Sequence, residues 1–352
     1  MSGVRQILFT LLIAVLCVSC RTVEETTALQ RFEFQQPHMG TLFTIVLYAN
    51  DAAMAGSASA AAFAKIAALE NVMTDYDPES ELMKLCQMPV GQPVPVSAEL
   101  FEVLEKSQQV AELSHGAFDA TIGPVVRLWR RTRRTGELPE PKMLETARAA
   151  VGWQNLKLNA RDHTATLLAP RMQLDLGGIG KGFAADKALQ VLKAQGIERA
   201  LIAASGDIAV SGPPPGKAGW RVSIGAPDFA FPELEPQAKT NLPIVRTLLL
   251  KHASVSTAGD SEQYVDISGV RYSHIVDPRT GVGLTNQLQV SVVAPRAADT
   301  DAFDTTARVL GVEQGMRLIE SQSQLAAIIL YMRDGKLQIA ESSRFRRIPK
   351  AE

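Results

Sequence analysis

The stretch LDLGGIGKGFAADKALQVLKAQG, residues 174–196, joins a strand pattern to a helix pattern through a glycine-rich turn. Its apolar spacing predicts a strand that ends near residue 176 and a helix from about Lys181 to Gln195, ended by Gly196. Backbone amides at the start of a helix, with the Lys181 ammonium, suit a phosphate, but glycine serves a tight turn equally well. From this stretch alone, a phosphate site and a turn without a ligand remain equal alternatives.

The spacing of this turn fits neither common nucleotide-binding motif. A P-loop would need glycine at Asp175 and serine or threonine at Gly182, and the dinucleotide-binding pattern fails because Phe183 stands where its last glycine should fall. A phosphate bound here would therefore belong to neither class.

Outward from this stretch, helix and strand patterns alternate without the regular rhythm of parallel α/β proteins. Several strands are short and close together, as in hairpins, which predicts an α+β fold with a large mixed or antiparallel sheet and packed helices. Strands are predicted at residues 41–49, 155–158, 164–168, 171–176, 200–204, 220–225, 245–250, 263–267, 288–294, 325–331 and 336–340, and helices at 51–73, 97–114, 141–151, 181–195, 300–310 and 313–321.

Composition sets the class of protein. The chain has 352 residues, of which 46% are hydrophobic and 21% charged, so it is long enough to bury a sizeable core. A formal net charge of -1 gives no general attraction to nucleic acid, so no nucleic-acid partner is expected.

The N-terminus predicts a lipoprotein signal over residues 1–19. Arg5 precedes an apolar run that is too short to span a bilayer comfortably and that ends in a small residue before Cys20. Cleavage before Cys20 would attach a lipid to its sulfur and leave residues 20–30 as a tether; an uncleaved anchor helix is the alternative. We expect an exported, membrane-anchored lipoprotein facing the periplasm, with Cys86 as the one remaining thiol and no disulfide in the mature chain.

The stretch ADTDAFDTTARVLG, residues 298–311, carries a cluster of oxygen ligands. Asp301, Asp304 and Thr305 lie at i, i+3 and i+4, on one face of the predicted helix start. Carboxylates and a hydroxyl are ligands of the kind Mg²⁺ takes, but acidic residues also cap helices and complement their dipole. Spacing alone favours capping.

Two other stretches are aromatic or basic. Tyr76 stands beside an Asp-Pro turn, where its ring could stack on a flavin or an adenine or simply pack. The stretch RLWRRTRR, residues 127–134, holds five arginines. It is interpreted as a solvated basic loop, with an acidic partner or anionic lipid as the alternative.

In their order along the chain, eight motifs resemble the FAD:protein FMN transferase (ApbE) family. They extend from Met39 to Gly311, and the ordered set is highly specific although each piece is weak. The motifs are MGTLFTI, YDPESEL, GAFDATIGPVVRLW, DLGGIGKGFAAD, GDIAV, STAGD, YSHIVDPRTG and DAFDTTARVLG. The resemblance implies an ApbE-like, T-fold-related transferase domain over residues 31–346.

The resemblance also implies the site residues. It favours metal binding over capping at the acidic helix start, and it makes His274 and Asp301 catalytic. FAD, the substrate, is expected to contact Met39, Tyr76, Ala117, Phe118, Asp119, Asp175, Lys181 and Ile275. Mg²⁺ is expected at Gly178, through its backbone carbonyl, and at Asp301, Asp304 and Thr305. Ser205 and Cys86 depart from the family pattern on the adenine side of the pocket.

The implied reaction is Mg²⁺-dependent transfer of FMN from FAD to a threonine hydroxyl of a target protein, with release of AMP. The acceptors are expected to be subunits of membrane redox complexes. A rigid turn built on Asp277, Pro278, Thr280 and Gly281 is expected to hold His274 beside the pyrophosphate, where it would carry a proton because the ordinary pKa of histidine lies near neutrality. FAD hydrolysis to FMN and AMP, and flavin binding without catalysis, are the alternatives.

Overall fold

The computed structural model describes residues 28–231, 242–259 and 263–351. The predicted signal segment, Cys20 and the tether up to residue 27 lie outside the described residues, and the first strand begins at Gln30. The described strands are β1 Gln30–His38, β2 Thr41–Ala49, β3 Val94–Pro95, β4 Leu156–Asn159, β5 Thr164–Leu167, β6 Ala200–Ala204, β7 Asp207–Val210, β8 Trp220–Gly225, β9 Ile244–Leu250, β10 Ala253–Ala258, β11 Tyr264–Ile267, β12 Val270–Ser273, β13 Val276–Asp277, β14 Val282–Gly283, β15 Leu288–Ala294, β16 Ala326–Arg333 and β17 Lys336–Glu341. The described α-helices are α1 Ala52–Met73, α2 Glu81–Cys86, α3 Ala98–Leu113, α4 Gly123–Thr135, α5 Pro141–Arg148, α6 Gly180–Ala194 and α7 Ala297–Ser321.

An eight-stranded sheet in the order β1-β2-β6-β7-β10-β15-β16-β17 forms the centre of the fold. Each of its neighbouring pairs is antiparallel, so the predicted α+β class with a large antiparallel sheet is confirmed. Strand β15 is buried at every position because both faces of the sheet are covered.

The two faces of the sheet have different covers. Helices α1, α6 and α7 pack on one face and enclose the larger core, which includes Phe43, Ile66 and Phe183. The β8–β9 hairpin and a 3₁₀ turn that contains Phe345 close a smaller core on the other face. The sheet therefore fixes α6, which carries Lys181, and α7, which carries Asp301, Asp304 and Thr305 of the predicted site.

Helix α1 is the one described helix long and apolar enough to cross a membrane by length and composition alone. Its Phe63, Ile66 and Leu69 lie in the larger core of the domain.

Most predicted elements are confirmed, four of the strands residue for residue: 41–49, 200–204, 220–225 and 288–294. The two helices predicted at 300–310 and 313–321 are the two arms of α7, interrupted at Gly311, where φ is 77°. The predicted strand at 171–176 is wrong, because Gln173 there forms only an isolated bridge with Ile122.

The interpretation of residues 127–134 as a basic loop is also wrong. These residues belong to α4, which begins at Gly123 with a proline in its first turn. Val125, Trp129 and Thr132 recur at helical spacing and are buried, so the arginines stand on a helix that has a buried side.

Candidate functional site

The N-termini of α6 and α7 meet and cap each other. The Asp301 carboxylate of α7 accepts a hydrogen bond of 2.9 Å from the Gly182 amide in the first turn of α6. In return, the Asp186 carboxylate of α6 accepts from the Ala297 and Ala298 amides at 2.8 and 3.0 Å. Each helix thus satisfies backbone donors that the other leaves open.

This junction decides between the two interpretations of the acidic helix start. Helix α7 begins at Ala297, so Asp301 and Asp304 lie beyond its first four residues and cannot cap their own helix. The approach of the two helices depends on Gly182, since a Cβ there would lie 2.1 Å from the Ala297 carbonyl oxygen. The capping alternative is therefore wrong for α7, although Asp301 does cap α6.

One lysine meets a group of buried carboxylates at the junction. Lys181 Nζ lies 3.0 Å from Asp207 Oδ2 and 3.5 Å from Asp301 Oδ1. The Ser256 hydroxyl contacts the carboxylates of Asp207 and Asp304. Burial opposes the charge of Lys181, but Asp207 and Asp301 raise its pKa above the ordinary value, so it stays protonated.

A single ammonium does not balance three carboxyl groups. Burial, with the charge of Asp207, raises the pKa of Asp301 to about 7. Burial and the neighbouring carboxylates Asp301 and Asp207 raise the pKa of Asp304 well above its ordinary value. Asp304 Oδ1 is buried and has no hydrogen-bond partner. The junction therefore has more carboxyl groups than its one ammonium can neutralise, and one carboxyl oxygen without a partner. A further cation would relieve both.

The other predicted metal ligands lie beside these carboxylates. A Cβ at Gly178 would lie 3.7 Å from Thr305 Oγ1, which places the glycine-rich turn against α7. Carboxylate, hydroxyl and carbonyl oxygens are the donor set of a hard divalent cation such as Mg²⁺, so the residues fit this metal. Among the described residues no group of three or more His, Cys, Asp or Glu side chains is arranged to hold a metal by itself, and the predicted set has only two carboxylates.

Several residues predicted to contact FAD line the same region. Phe118 lies beside the glycine-rich turn, with Cε2 3.3 Å from a Cβ built at Gly178. Ala117 and Ile275 lie together in a small buried cluster. Asp119 is buried, and its carboxylate accepts from the Thr121 amide at 2.8 Å, the Thr121 hydroxyl at 2.7 Å and the Trp153 amide at 2.9 Å. Its observed bonds thus position the loop around Phe118.

Met39 occupies the two-residue turn between β1 and β2. Its φ of 50° is left-handed, and its amide donates to Glu70 Oε1 at 2.6 Å. Glu70 stands one turn before Met73, whose Cε lies 3.9 Å from a Cβ built at Gly180, the first residue of α6. The turn is therefore held near the same end of α1 as the junction.

His274 is half-buried, and its ring is fixed by the backbone. Nδ1 lies 3.0 Å from the Gln263 carbonyl oxygen, which can only accept, so Nδ1 donates and Nε2 keeps its lone pair in the neutral ring. Burial lowers the pKa of His274 to about 4, and the cations Arg308, Arg133 and Lys181 contribute. The expectation of a pKa near neutrality is wrong for this reason.

The predicted rigid turn after His274 is confirmed. The amides of Thr280 and Gly281 donate to the Asp277 carbonyl at 3.2 and 2.8 Å. Trp129 of α4 donates to the Gly281 carbonyl at 2.8 Å. Helix α4 thus fixes the far end of the loop that carries His274.

A rim of charged and aromatic residues adjoins the glycine-rich turn. Arg130 pairs with Asp75 and with Asp175, whose other oxygen accepts from the Gly177 amide at 2.8 Å. The Arg130 guanidinium also lies 4.2 Å from the centre of the Tyr76 ring, which is 76% exposed. Burial, then the charge of Asp75, raises the pKa of Asp175.

Sequence reasoning found the junction but not all of its members. Asp207 lies in the motif GDIAV and Ser256 in the motif STAGD, but their spacing in the sequence does not relate either residue to Asp304. Arg130 was missed because its segment was interpreted as a loop.

Cys86, the thiol expected to remain in the mature chain, is half-buried. Its sulfur accepts a hydrogen bond from the Leu174 amide at 3.3 Å, and burial raises the pKa of the thiol.

On an antiparallel α+β fold, the site brings together a protonated lysine, an excess of buried carboxyl groups and a neutral histidine. Lysine and carboxylate oxygens are the groups that proteins use to hold a phosphate together with a divalent cation. The chain belongs to the ApbE family, whose profile matches residues 39–329. The resemblance inferred from the eight motifs is thereby confirmed.

Named relatives cover nearly the whole chain. A FAD:protein FMN transferase of Treponema pallidum is 31% identical over 308 residues, which are 83% of this chain and 82% of the relative. One from Salmonella typhimurium is 28% identical over 332 residues, 92% and 91% of the two chains. The structure of the flavin transferase ApbE from Vibrio cholerae superposes with a TM-score of 0.80 at 26% identity, over 91% of this chain and 100% of that one.

Proposed function

We propose that this protein transfers the FMN portion of FAD to a threonine hydroxyl of a second protein, releases AMP and requires Mg²⁺. Flavin transfer itself follows from membership of the ApbE family and from relatives named FAD:protein FMN transferase. The observation that carries the finer proposal is the junction, where Lys181 faces three buried carboxyl groups and Asp304 Oδ1 has no partner.

In this reaction the threonine oxygen attacks the phosphorus of the FMN portion, and the bond from that phosphorus to the AMP oxygen breaks. Neutral His274, with Nδ1 held by a carbonyl, presents Nε2 to accept the threonine proton. Lys181 is a fixed positive charge for the phosphate oxygens. Asp301, Asp304, Thr305 and the Gly178 carbonyl would hold Mg²⁺, which when bound offsets negative charge on those oxygens.

We further propose that the protein is an exported lipoprotein, held at the membrane by lipid on Cys20, and that its acceptors are membrane redox subunits. The sequence pattern of residues 1–20 supports the anchor. A tether of about ten residues would keep the site within reach of proteins in the same membrane.

The test uses the full chain in detergent with FAD and a protein domain that carries a candidate threonine, with Mg²⁺ or with a chelator. Mass spectrometry of the domain and chromatography of the nucleotides follow the reaction. A magnesium-dependent FMN adduct with one AMP per adduct is expected. Free FMN and AMP without an adduct would identify a pyrophosphatase, and bound, unreacted FAD would identify a flavin-binding lipoprotein.

A further inference from the structure

Arg130 joins three segments that are distant in sequence. Its guanidinium grips both oxygens of Asp75, at 2.5 and 3.2 Å, and reaches Asp175 Oδ2 at 3.0 Å. Asp75 follows α1, Arg130 lies in α4, and Asp175 precedes the glycine-rich turn. One side chain therefore ties helix α4 to the segment after α1 and to the segment before the glycine-rich turn.

The same guanidinium covers one face of Tyr76. The distance of 4.2 Å to the ring centre is that of a cation–π contact. The ring is nevertheless 76% exposed, so its opposite face is open. An exposed aromatic ring that is backed by a fixed guanidinium is pre-organised for stacking, because its orientation is already restricted before a ligand arrives.

The open face lies at the rim of the site. Asp175 binds Arg130 through one oxygen and the Gly177 amide through the other. The next residue, Gly178, lies against Phe118 and Thr305. The Tyr76 ring and the glycine-rich turn are thus connected through one cation–π contact and two hydrogen bonds.

We propose that Arg130 is a positioning residue that holds Tyr76 as a stacking surface for a planar ring of FAD and ties that surface to the glycine-rich turn. This inference rests on the proposed function, in that FAD is taken as the substrate. In this proposal Arg130 acts through Tyr76 and Asp175 and not on the reacting atoms. A lysine could pair with one carboxylate but could not bridge both and stack at once.

The experiment titrates FAD into the full chain and follows flavin fluorescence, with KM and kcat for FAD measured in parallel. Arg130→Gln is expected to weaken FAD binding about tenfold, and Arg130→Lys is expected to restore only part of it. KM should rise while kcat stays within about threefold, because the substituted group is remote from the transferred phosphorus. Arg131→Gln, an exposed neighbour on the same helix, is the matched control and should bind FAD like the parent.

A double-mutant cycle separates positioning from general support. In a Tyr76→Ala background, Arg130→Gln should weaken FAD binding by clearly less than the roughly tenfold expected in the parent, since the surface it holds is gone and only its contact with Asp175 remains. Arg130→Gln leaves the carboxylates of Asp75 and Asp175 without the cation between them, so they repel each other and the variant could fail to fold. The double variant with Asp75→Asn removes this repulsion and allows FAD binding to be measured in that case. The double variant should fold and should bind FAD more weakly than the parent.

Four results would overturn the inference: parent-like binding in Arg130→Gln, full rescue by lysine, full rescue in the pair with Asp75→Asn, or additive effects in the cycle. A parent chain that binds FAD without transferring FMN would refute the proposed function, while the Kd comparison would still decide the role of Arg130. A parent chain that binds no FAD would refute both.

Discussion

The junction of α6 and α7 and the rim around Tyr76 both gather acidic and basic side chains, but they balance charge differently. At the junction three buried carboxyl groups share one ammonium, and Asp304 Oδ1 has no partner. At the rim one guanidinium pairs with two carboxylates and every named group has a partner. The junction therefore keeps an excess of negative charge that the proposed Mg²⁺ would offset, whereas the charges at the rim are already paired.

Gly182→Ala is expected to disrupt the junction more than any other substitution considered for the two regions. The added Cβ would meet the Ala297 carbonyl oxygen at 2.1 Å, so the helices must separate and both capping interactions are lost. We expect a loss of about 3 kcal/mol or more in the free energy of unfolding, measured by chemical denaturation. Gly56→Ala in α1 is the control; a Cβ there has no neighbour within 4 Å, and alanine should stabilise the helix slightly. Equal stability of the two variants would mean that the junction is not tightly packed.

The charge excess at the junction is tested by Asp304→Asn. The amide keeps an oxygen for Ser256 but removes one of the carboxylates, so Mg²⁺ should bind at least about tenfold more weakly. The readout is the rise in unfolding temperature with Mg²⁺ concentration, which the parent should show and the variant should largely lose. Without Mg²⁺ the variant should be at least as stable as the parent, because a buried like charge is gone.

Asp334→Asn, in the turn between β16 and β17, controls for the loss of one acidic residue. An unchanged response to Mg²⁺ in Asp304→Asn would place the metal elsewhere.

These two regions also show how far sequence reasoning reaches. The junction residues Asp301, Asp304 and Thr305 are neighbours on one helix, so their spacing alone predicts a shared face. Arg130 lies 55 residues from Asp75 and 45 from Asp175, so no local period connects them. The resemblance supplied Tyr76 and Asp175, but only the packing of α4 brings the arginine between them.

The pKa of His274 shows a second limit. Its residue type gives an ordinary value near 6.5, but burial and three cations from other segments lower the pKa to about 4. Those cations come from α4, α6 and α7, whose convergence the sequence does not specify. Tertiary placement thus changed the chemistry of a residue that the motif had identified.

This lowered pKa predicts the pH dependence of stability. Between about pH 6.5 and 4 the unfolded chain binds a proton at His274 that the folded chain does not, so protonation favours unfolding. The free energy of unfolding should fall as pH falls through this window, by at most about 3 kcal/mol from this group and by less because the ring is only half-buried. His274→Gln should lose less stability than the parent across the same window, measured by denaturation at each pH. Parallel curves for the two proteins would contradict the lowered pKa.

The smallest effect on stability is expected at the rim, from Tyr76→Ala. The side chain is mostly exposed and its cation–π contact is at the surface, so the free energy of unfolding should change by less than about 1 kcal/mol. FAD binding should nevertheless weaken, because the stacking surface is removed, and Tyr76→Phe should keep it. A large loss of stability in Tyr76→Ala, or equal FAD binding by the alanine and phenylalanine variants, would make the ring a packing element. The rim would then resemble the junction, where the same residues set the positions of the helices and the free energy of unfolding.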